Sequence, residues 1–274
     1  MSVTLCSEAK RVAMFVGGMS AFSAAAMTFI WLPVFALNPL LSAEPFAPGE
    51  TLVYALRWGP FKVGTARIEI TGPVTFGSEN AYRCKFVLRT NGFADAFYRV
   101  RDEYISYVDL EFNRTLHFEK RELHRNRARK VTVEFDWDQR ISTFTINGEE
   151  QPVVSLPDNV LDPVAVIFAT RREALKVGGR WRFKVTNGKR FGDIPFRVVA
   201  AEPIATPGLS GESFRLEPEM GNVSEAFKGN SKTFLKVWVS ADTRHIPMKA
   251  ACRMKYGKFR ADLVEVLSDM RDDA

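Results

Sequence analysis

From Glu50 onward the apolar residues recur at every second position, and that period is what most limits how the chain can fold. In TLVYALRW, residues Leu52, Tyr54, Leu56 and Trp58 share one face. In AYRCKFVLR, Tyr82, Cys84, Phe86 and Leu88 alternate with Arg83, Lys85 and Arg89. Successive side chains of an extended chain point to opposite faces, so this pattern buries one face and wets the other. KVTVEFDW repeats it with Val131, Val133, Phe135 and Trp137, and IPMKAACRMKY sets Ile246, Met248, Ala250, Cys252, Met254 and Tyr256 against Lys249, Arg253 and Lys255. Asn147–Gly148 and Asn187–Gly188 are hairpin signals, because such pairs reach the left-handed backbone that tight hairpin turns need. The apolar phase switches at Gly64, which predicts a β-bulge there. The polar run HRNRAR reads as the turn between LHFEKREL and KVTVEFDW, and Pro203 to Asn230 as loops around one strand, SFRLEP.

Two segments leave this period. FADAFYRV places Phe93, Ala96, Phe97 and Val100 on one face of a short helix. DPVAVIFATRREAL predicts a longer helix, with Asp162 as N-cap, Pro163 in the first turn, Val164, Ile167 and Phe168 in one stripe, and Gly178–Gly179 as the stop. The fold class is therefore mainly β: about ten antiparallel strands in one large curved sheet or incomplete β-barrel, with one or two short helices. A sheet that wide twists and curls around an apolar concavity, or folds into two layers. No linker divides residues 44–274, which read as a single β-rich domain.

The N-terminus places this domain. Lys10 and Arg11 precede VAMFVGGMSAFSAAAMTFIWL, uncharged from Val12 to Leu32, and LLSA leads into EPFAPGE. A basic flank, an apolar run and a small residue before a polar start are the marks of an export signal. The run is also about the ~20 residues that a membrane span requires. Residues 1–43 are thus a signal peptide cleaved after Ala43, or an uncleaved N-terminal anchor. Both place the domain outside the cytoplasm, in the periplasm or cell envelope, and set aside nucleic acid as a partner. The formal charge of +6 suits an anionic envelope surface. Of three cysteines, Cys84 and Cys252 lie in the domain; in an oxidising compartment they form a disulfide or remain two buried thiols.

PGETLVYALRWGPFKVGTARIEI, FYRVRDEYISYVD, NVLDPVAVIFATR, GGRWRFKV and FLKVWVSADTRHIPMKA together resemble a bacterial family of exported proteins that carries a domain-of-unknown-function label. The resemblance is spread over Pro48 to Val266. It implies an incomplete antiparallel barrel similar to the periplasmic lipoprotein carriers LolA and LolB, in which a curved sheet wraps an apolar groove under a helical lid. It implies no activity, because a fold does not fix a function.

Motifs for chemistry are sparse. GPFKVGT has the glycine spacing of a phosphate loop without its lysine, and it opens no helix. His117, His124 and His245 show no metal-ligand spacing, so no metal and no cofactor is expected. Ser106, His245 and Asp242 could be imagined as a triad, but no GxSxG motif supports it. Asp102, Glu103 and Asp109 could do acid–base work, although interleaved Arg and Asp on a wet strand face is the commoner arrangement. The basic run ELHRNRARK offers Arg125, Arg127 and Arg129 to anionic headgroups. Phenylalanine is abundant, at 22 residues. Phe93 and Phe97 are candidate lid residues over a groove that Tyr54 and Trp58 help to line. The expected function is a non-enzymatic, membrane-proximal envelope protein that holds a lipid, acyl chain or other amphiphile. The alternatives are an assembly factor that meets envelope proteins through a sheet edge, and a hydrolase of envelope polymers.

Overall fold

The computed structural model describes residues 44–218, 234–254 and 257–268. The segment read as signal or anchor, and Lys255 and Tyr256 of the alternating strand, lie outside the described residues. The first half of the domain contains β1 (Thr51–Trp58), β2 (Phe61–Phe76), β3 (Glu79–Thr90), α1 (Gly92–Tyr98), β4 (Val100–Asp109), β5 (Thr115–His124), β6 (Arg127–Asp136) and β7 (Ile141–Ile146). Three two-residue strands follow: β8 (Glu149–Glu150), β9 (Val154–Ser155) and β10 (Val160–Leu161). The second half contains α2 (Ala165–Arg172), β11 (Arg180–Thr186), β12 (Phe191–Ala205), β13 (Ser210–Pro218), β14 (Phe234–Ser240), β15 (Pro247–Met254) and β16 (Gly257–Leu267).

Among the described residues all sixteen strands belong to one sheet, in the order β10 to β16, then β1 to β8, with β9 beside β7. The first and last strands pair with each other in the middle, Thr51 opposite Leu267 and Trp58 opposite Phe259. The sheet ends are therefore mid-chain, where Pro152 and Pro157 interrupt the ladder and leave only short pairings. Every pairing is antiparallel except β10 with β11. The tip of the β11–β12 hairpin reaches across to the β6–β7 region: a side chain at Gly188 would collide with Phe144 and Val133.

The expected bulge is present. Leu56 pairs with Gly64 but Arg57 pairs with Lys62, which leaves Val63 as the extra residue. Gly64 is required because a Cβ there would run into the Arg89 carbonyl on β3. Both NG hairpins form, with Asn147 at φ 52° and Gly188 at φ 91°. The HRNRAR turn is shorter than expected. Only Arg125 and Asn126 connect the strands, and Arg127 and Arg129 belong to β6, where they pair with His124 and Glu122. The expected loop from Pro203 is also corrected in part: β12 runs on to Ala205 and pairs with β13 through Ser210.

The inner face buries Leu52, Ile68, Ile70, Cys84, Val108, Phe118, Val133 and Phe144, and α2 packs onto it through Ala165, Val166, Phe168 and Ala169. Phe46, from the segment before β1, seals the far side of α2 by edge-on contact with Phe168. The helix ends earlier than its sequence suggests. Leu175 leaves it to join Val198, Leu216 and Val239 in a second small cluster.

Candidate apolar binding cavity

Between α2 and the inner face lies a cavity of about 550 Å³. Tyr54, Leu56, Ala66, Ile68, Phe86 and Leu88 form one wall, from β1 to β3. Ile194, Phe196, Leu216 and Val237, on β12 to β14, continue the lining, Ala261 on β16 joins the two stretches as the cross-strand partner of Leu56, and Val166 and Ile167 of α2 form the cover. Its volume falls in the range of small-ligand sites, roughly 300–1,000 Å³.

The polar groups that reach the cavity are already engaged. The Tyr54 hydroxyl donates to the Pro247 carbonyl at 2.8 Å, and burial holds its proton on by raising its pKa. Thr170 Oγ1 donates to Val166 O at 2.8 Å. Arg171 also lines the cavity, and all three of its side-chain nitrogens are engaged. Its Nη1 and Nη2 donate to Glu50 at 2.5 and 3.2 Å, Nη2 also donates to Pro45 O, and Nε donates to Arg244 O. The Arg171 guanidinium also lies over the rings of Phe46 and Phe168. Lys249 has its Nζ over the Trp238 ring. The lining thus offers carbon rather than unpaired hydrogen-bonding groups.

Asp162 fixes the start of α2. Its Oδ1 accepts from the Val164 and Ala165 backbone N–H groups, and its Oδ2 accepts from Ser106 at 2.5 Å and Thr115 at 2.8 Å. Pro163 and Val164 form a turn before the regular helix, so the cap assigned from sequence acts two residues ahead of the helix's own N-cap position, Val164. Burial raises the Asp162 pKa, and the four hydrogen bonds oppose that shift.

Of the residues singled out in the sequence, Tyr54 lines the cavity. Trp58 does not; it stacks on Phe259 at the end of β1. The lid expected from Phe93 and Phe97 is corrected. α1 buries none of its residues, and Phe93 and Phe97 are 50% and 68% exposed. The cause is Asp95, on the opposite side of α1. It accepts from Thr90 at 2.5 Å and from Arg101 Nη2 at 2.5 Å, so the polar side faces the sheet and the phenylalanines face outward. Cys84 and Cys252 are both free. β2, β1 and β16 separate their strands in the sheet, so of the two alternatives the free thiols are the one observed. Cys84 is fully buried and Cys252 half-buried.

The basic triplet does not converge. Arg125 lies over the Tyr98 ring, Arg127 is exposed on β6, and Arg129 approaches Glu122 at 3.7 Å. The carboxylates of the hydrolase reading are likewise dispersed. Glu103 pairs with Lys85, and Asp109 closes the β4–β5 turn by accepting from the Asn113 and Arg114 backbone. Ser106 is engaged by Asp162, His245 by the Arg171 carbonyl, and Asp242 by Ser240 and Arg244. These pairings assemble no triad.

One grouping escaped the sequence reading. Asp102, Glu122 and His124 bring ligand-type atoms within 4.8 Å of one another. Glu122 and His124 are two apart on β5 and so share a face, and Asp102 is the cross-strand partner of Glu122. The i, i+2 spacing was the available signal. These groups could hold a cation, but they already satisfy one another. His124 Nε2 lies 2.9 Å from Asp102, Lys120 Nζ lies 2.8 Å from Glu122, and the single Tyr104 hydroxyl proton is shared between the two carboxylates at 3.4 and 3.3 Å.

Comparison with known proteins fits this architecture. The family described as "Protein of unknown function (DUF3108)" matches residues 53–264. The chain belongs to that family. A β-barrel-like protein of the DUF1849 domain from Brucella abortus shares the fold at a TM-score of 0.55 with 10% identity, over 81% of this chain and 98% of that one. A Bacteroides fragilis protein with a YmcC-like fold aligns over 82% of this chain and 98% of its own at 9% identity, but its TM-score of 0.32 supports no argument. No curated protein matches the sequence. Neither the family nor the Brucella structure indicates an enzyme activity. Among the described residues no helix is long and apolar enough to cross a membrane.

Proposed function

We propose that this protein is a non-enzymatic component of the bacterial cell envelope that holds the acyl chain of a lipid or lipoprotein in the cavity under α2. The observation that carries this reading is the apolar space of about 550 Å³ whose polar neighbours Tyr54, Thr170 and Arg171 are hydrogen-bonded to other groups, with the Lys249 ammonium over the Trp238 ring. Such a lining gains from burying hydrocarbon, about 0.8 kcal/mol per CH₂, and would penalise a polar ligand left without partners. The N-terminal segment read as an export signal supports the location, and a curved sheet under a helical cover is the arrangement that the resemblance to LolA and LolB implies. The short, proline-interrupted sheet ends weigh against partner capture by edge pairing. The scattered carboxylates weigh against hydrolysis.

Native mass spectrometry of protein purified gently from its own host is expected to show a retained lipid. A fluorescent long-chain fatty acid is expected to bind the delipidated protein at micromolar concentration. Ala261→Trp, which fills the space from the β16 wall, is expected to reduce that binding more than tenfold. Failure of the unmodified protein to bind any lipid analogue at micromolar concentration would overturn the reading.

A further inference from the structure

The outward face of α1 joins the β1–β2 turn in an aromatic surface. Phe61 stacks on Phe93 at 5.6 Å between ring centroids, and Phe93 meets Phe97 edge-on at 5.5 Å. Phe61 is 56% exposed, comparable to the two helical rings. A single exposed phenylalanine is ordinary, whereas three in ring contact form a contiguous patch that asks for a partner. The patch is held rigidly. Asn91 caps α1 by accepting from the Ala94 N–H, and its Nδ2 donates to Lys62 O at 2.7 Å, which ties the helix to the strand that carries Phe61.

Cations surround it. Lys62 follows Phe61 in the chain, and Arg99 follows the helix. The Arg125 N–H donates to Arg99 O at 2.8 Å, and its guanidinium lies over the exposed Tyr98 ring at 5.1 Å. A hollow of about 640 Å³ between α1 and the Arg125–Asn126 turn is bordered by Phe97, Arg99 and Arg125. Asp95 also borders it, but this carboxylate is bonded to Arg101 and Thr90 and so is largely neutralised, leaving only a long 4.0 Å approach to the half-exposed Arg99.

We infer that this corner is a docking surface for an anionic phospholipid bilayer, with Phe61, Phe93 and Phe97 entering the interfacial layer and Lys62, Arg99 and Arg125 meeting lipid phosphates. Aromatic rings settle at the headgroup level, and basic side chains beside them add electrostatic attraction to anionic lipid. Exposed rings flanked by Lys62, Arg99 and Arg125 complement an anionic lipid surface, which offers phosphates beside an apolar layer. The inference shares the envelope location with the proposed function but does not depend on the cavity ligand.

The test is co-sedimentation of the protein, purified as its host processes it, with vesicles of phosphatidylethanolamine and phosphatidylglycerol and with vesicles of phosphatidylcholine alone. Binding is expected at least tenfold stronger to the anionic vesicles and weaker at high salt. The triple variant Phe61→Ser, Phe93→Ser, Phe97→Ser and the pair Arg99→Glu, Arg125→Glu are each expected to lose at least fivefold in binding. Phe97→Ser alone, at the most exposed of the three rings, provides the same comparison with the least risk to folding. Ala261→Trp is expected to bind vesicles as the unmodified protein does, so loss of ligand and loss of docking are separable. Equal vesicle binding by all variants would overturn the inference, as would absence of binding to anionic vesicles. A solution dimer that the triple variant converts to monomer would assign the patch to a second copy instead.

Discussion

The two helices are nearly the same length, and both carry phenylalanine on one face, yet they do opposite things. α2 is sunk between the inner face of the sheet and the Phe46 segment, with Phe168 fully buried. α1 rests on the sheet through its polar side and shows its rings to solvent. Each is held by a guanidinium–carboxylate contact, but in different surroundings. Arg171–Glu50 is buried, whereas Arg101–Asp95 is partly wet. Periodicity identifies an apolar stripe. Which way that stripe faces depends on where the best polar anchor lies, and for α1 the anchor was Asp95.

Predictions from this contrast begin with the ion pairs. Arg171→Leu would leave Glu50 as an uncompensated buried charge and is expected to cost about 3–5 kcal/mol in urea unfolding. Arg101→Leu frees a carboxylate that water can reach, and the loss is expected to be far smaller. Equal losses would break the comparison. The caps come next. Asp162→Ala strands two hydroxyls and two helix N–H groups in the core, and about 2–3 kcal/mol or more should be lost. Asn91→Ala should cost about 1 kcal/mol, the ordinary value for an exposed cap.

Phe97→Asp separates the functions of the two helices. It is expected to weaken vesicle binding several-fold while leaving fatty-acid affinity and melting temperature unchanged. A fall in fatty-acid affinity would return α1 to the cavity.

The smallest effect is in pH dependence. The Asp95 carboxyl is lowered from 3.8 to about 2 by its hydrogen bonds from Arg101 and Thr90. Its contribution is therefore present above the ordinary carboxylate range and is lost as pH falls toward 2. Asp162 has the opposite sign. Its raised pKa favours the protonated form in the fold, so its contribution is full below pH 3.8 and is lost as pH rises through the folded value. Melting temperature measured from pH 7 to pH 2 should fall less steeply below pH 4 in Asp95→Asn than in the unmodified protein. An identical acid limb would show that the Asp95 contacts do not contribute in solution.

Much of the sheet was legible because a half-buried strand must alternate. Leu52 to Trp58, Tyr82 to Leu88 and Val131 to Val133 each mark their strand, and Gly64 and Gly188 stand where backbone or ring contacts exclude a side chain. The site was less legible. Tyr54 was identified as a lining residue, but Ile194, Val237 and Ala261 look like any other alternating residues. They line a cavity only because strand order and the α2 cover bring β12, β14 and β16 to one space with β1 to β3. Asp102 and His124 are 22 positions apart and meet through strand pairing.

The sequence by itself determined the β class, the hairpins, the bulge and the two helical segments, because local backbone geometry and one-sided burial leave a direct trace in residue order. Only the tertiary structure decided that β1 pairs with β16, that Cys84 and Cys252 stay apart, and that α2 rather than α1 covers the cavity. Those outcomes depend on sheet curvature, strand order and the competition between Asp95 and the phenylalanines for the sheet. Such contacts between residues far apart in the chain leave no period to read.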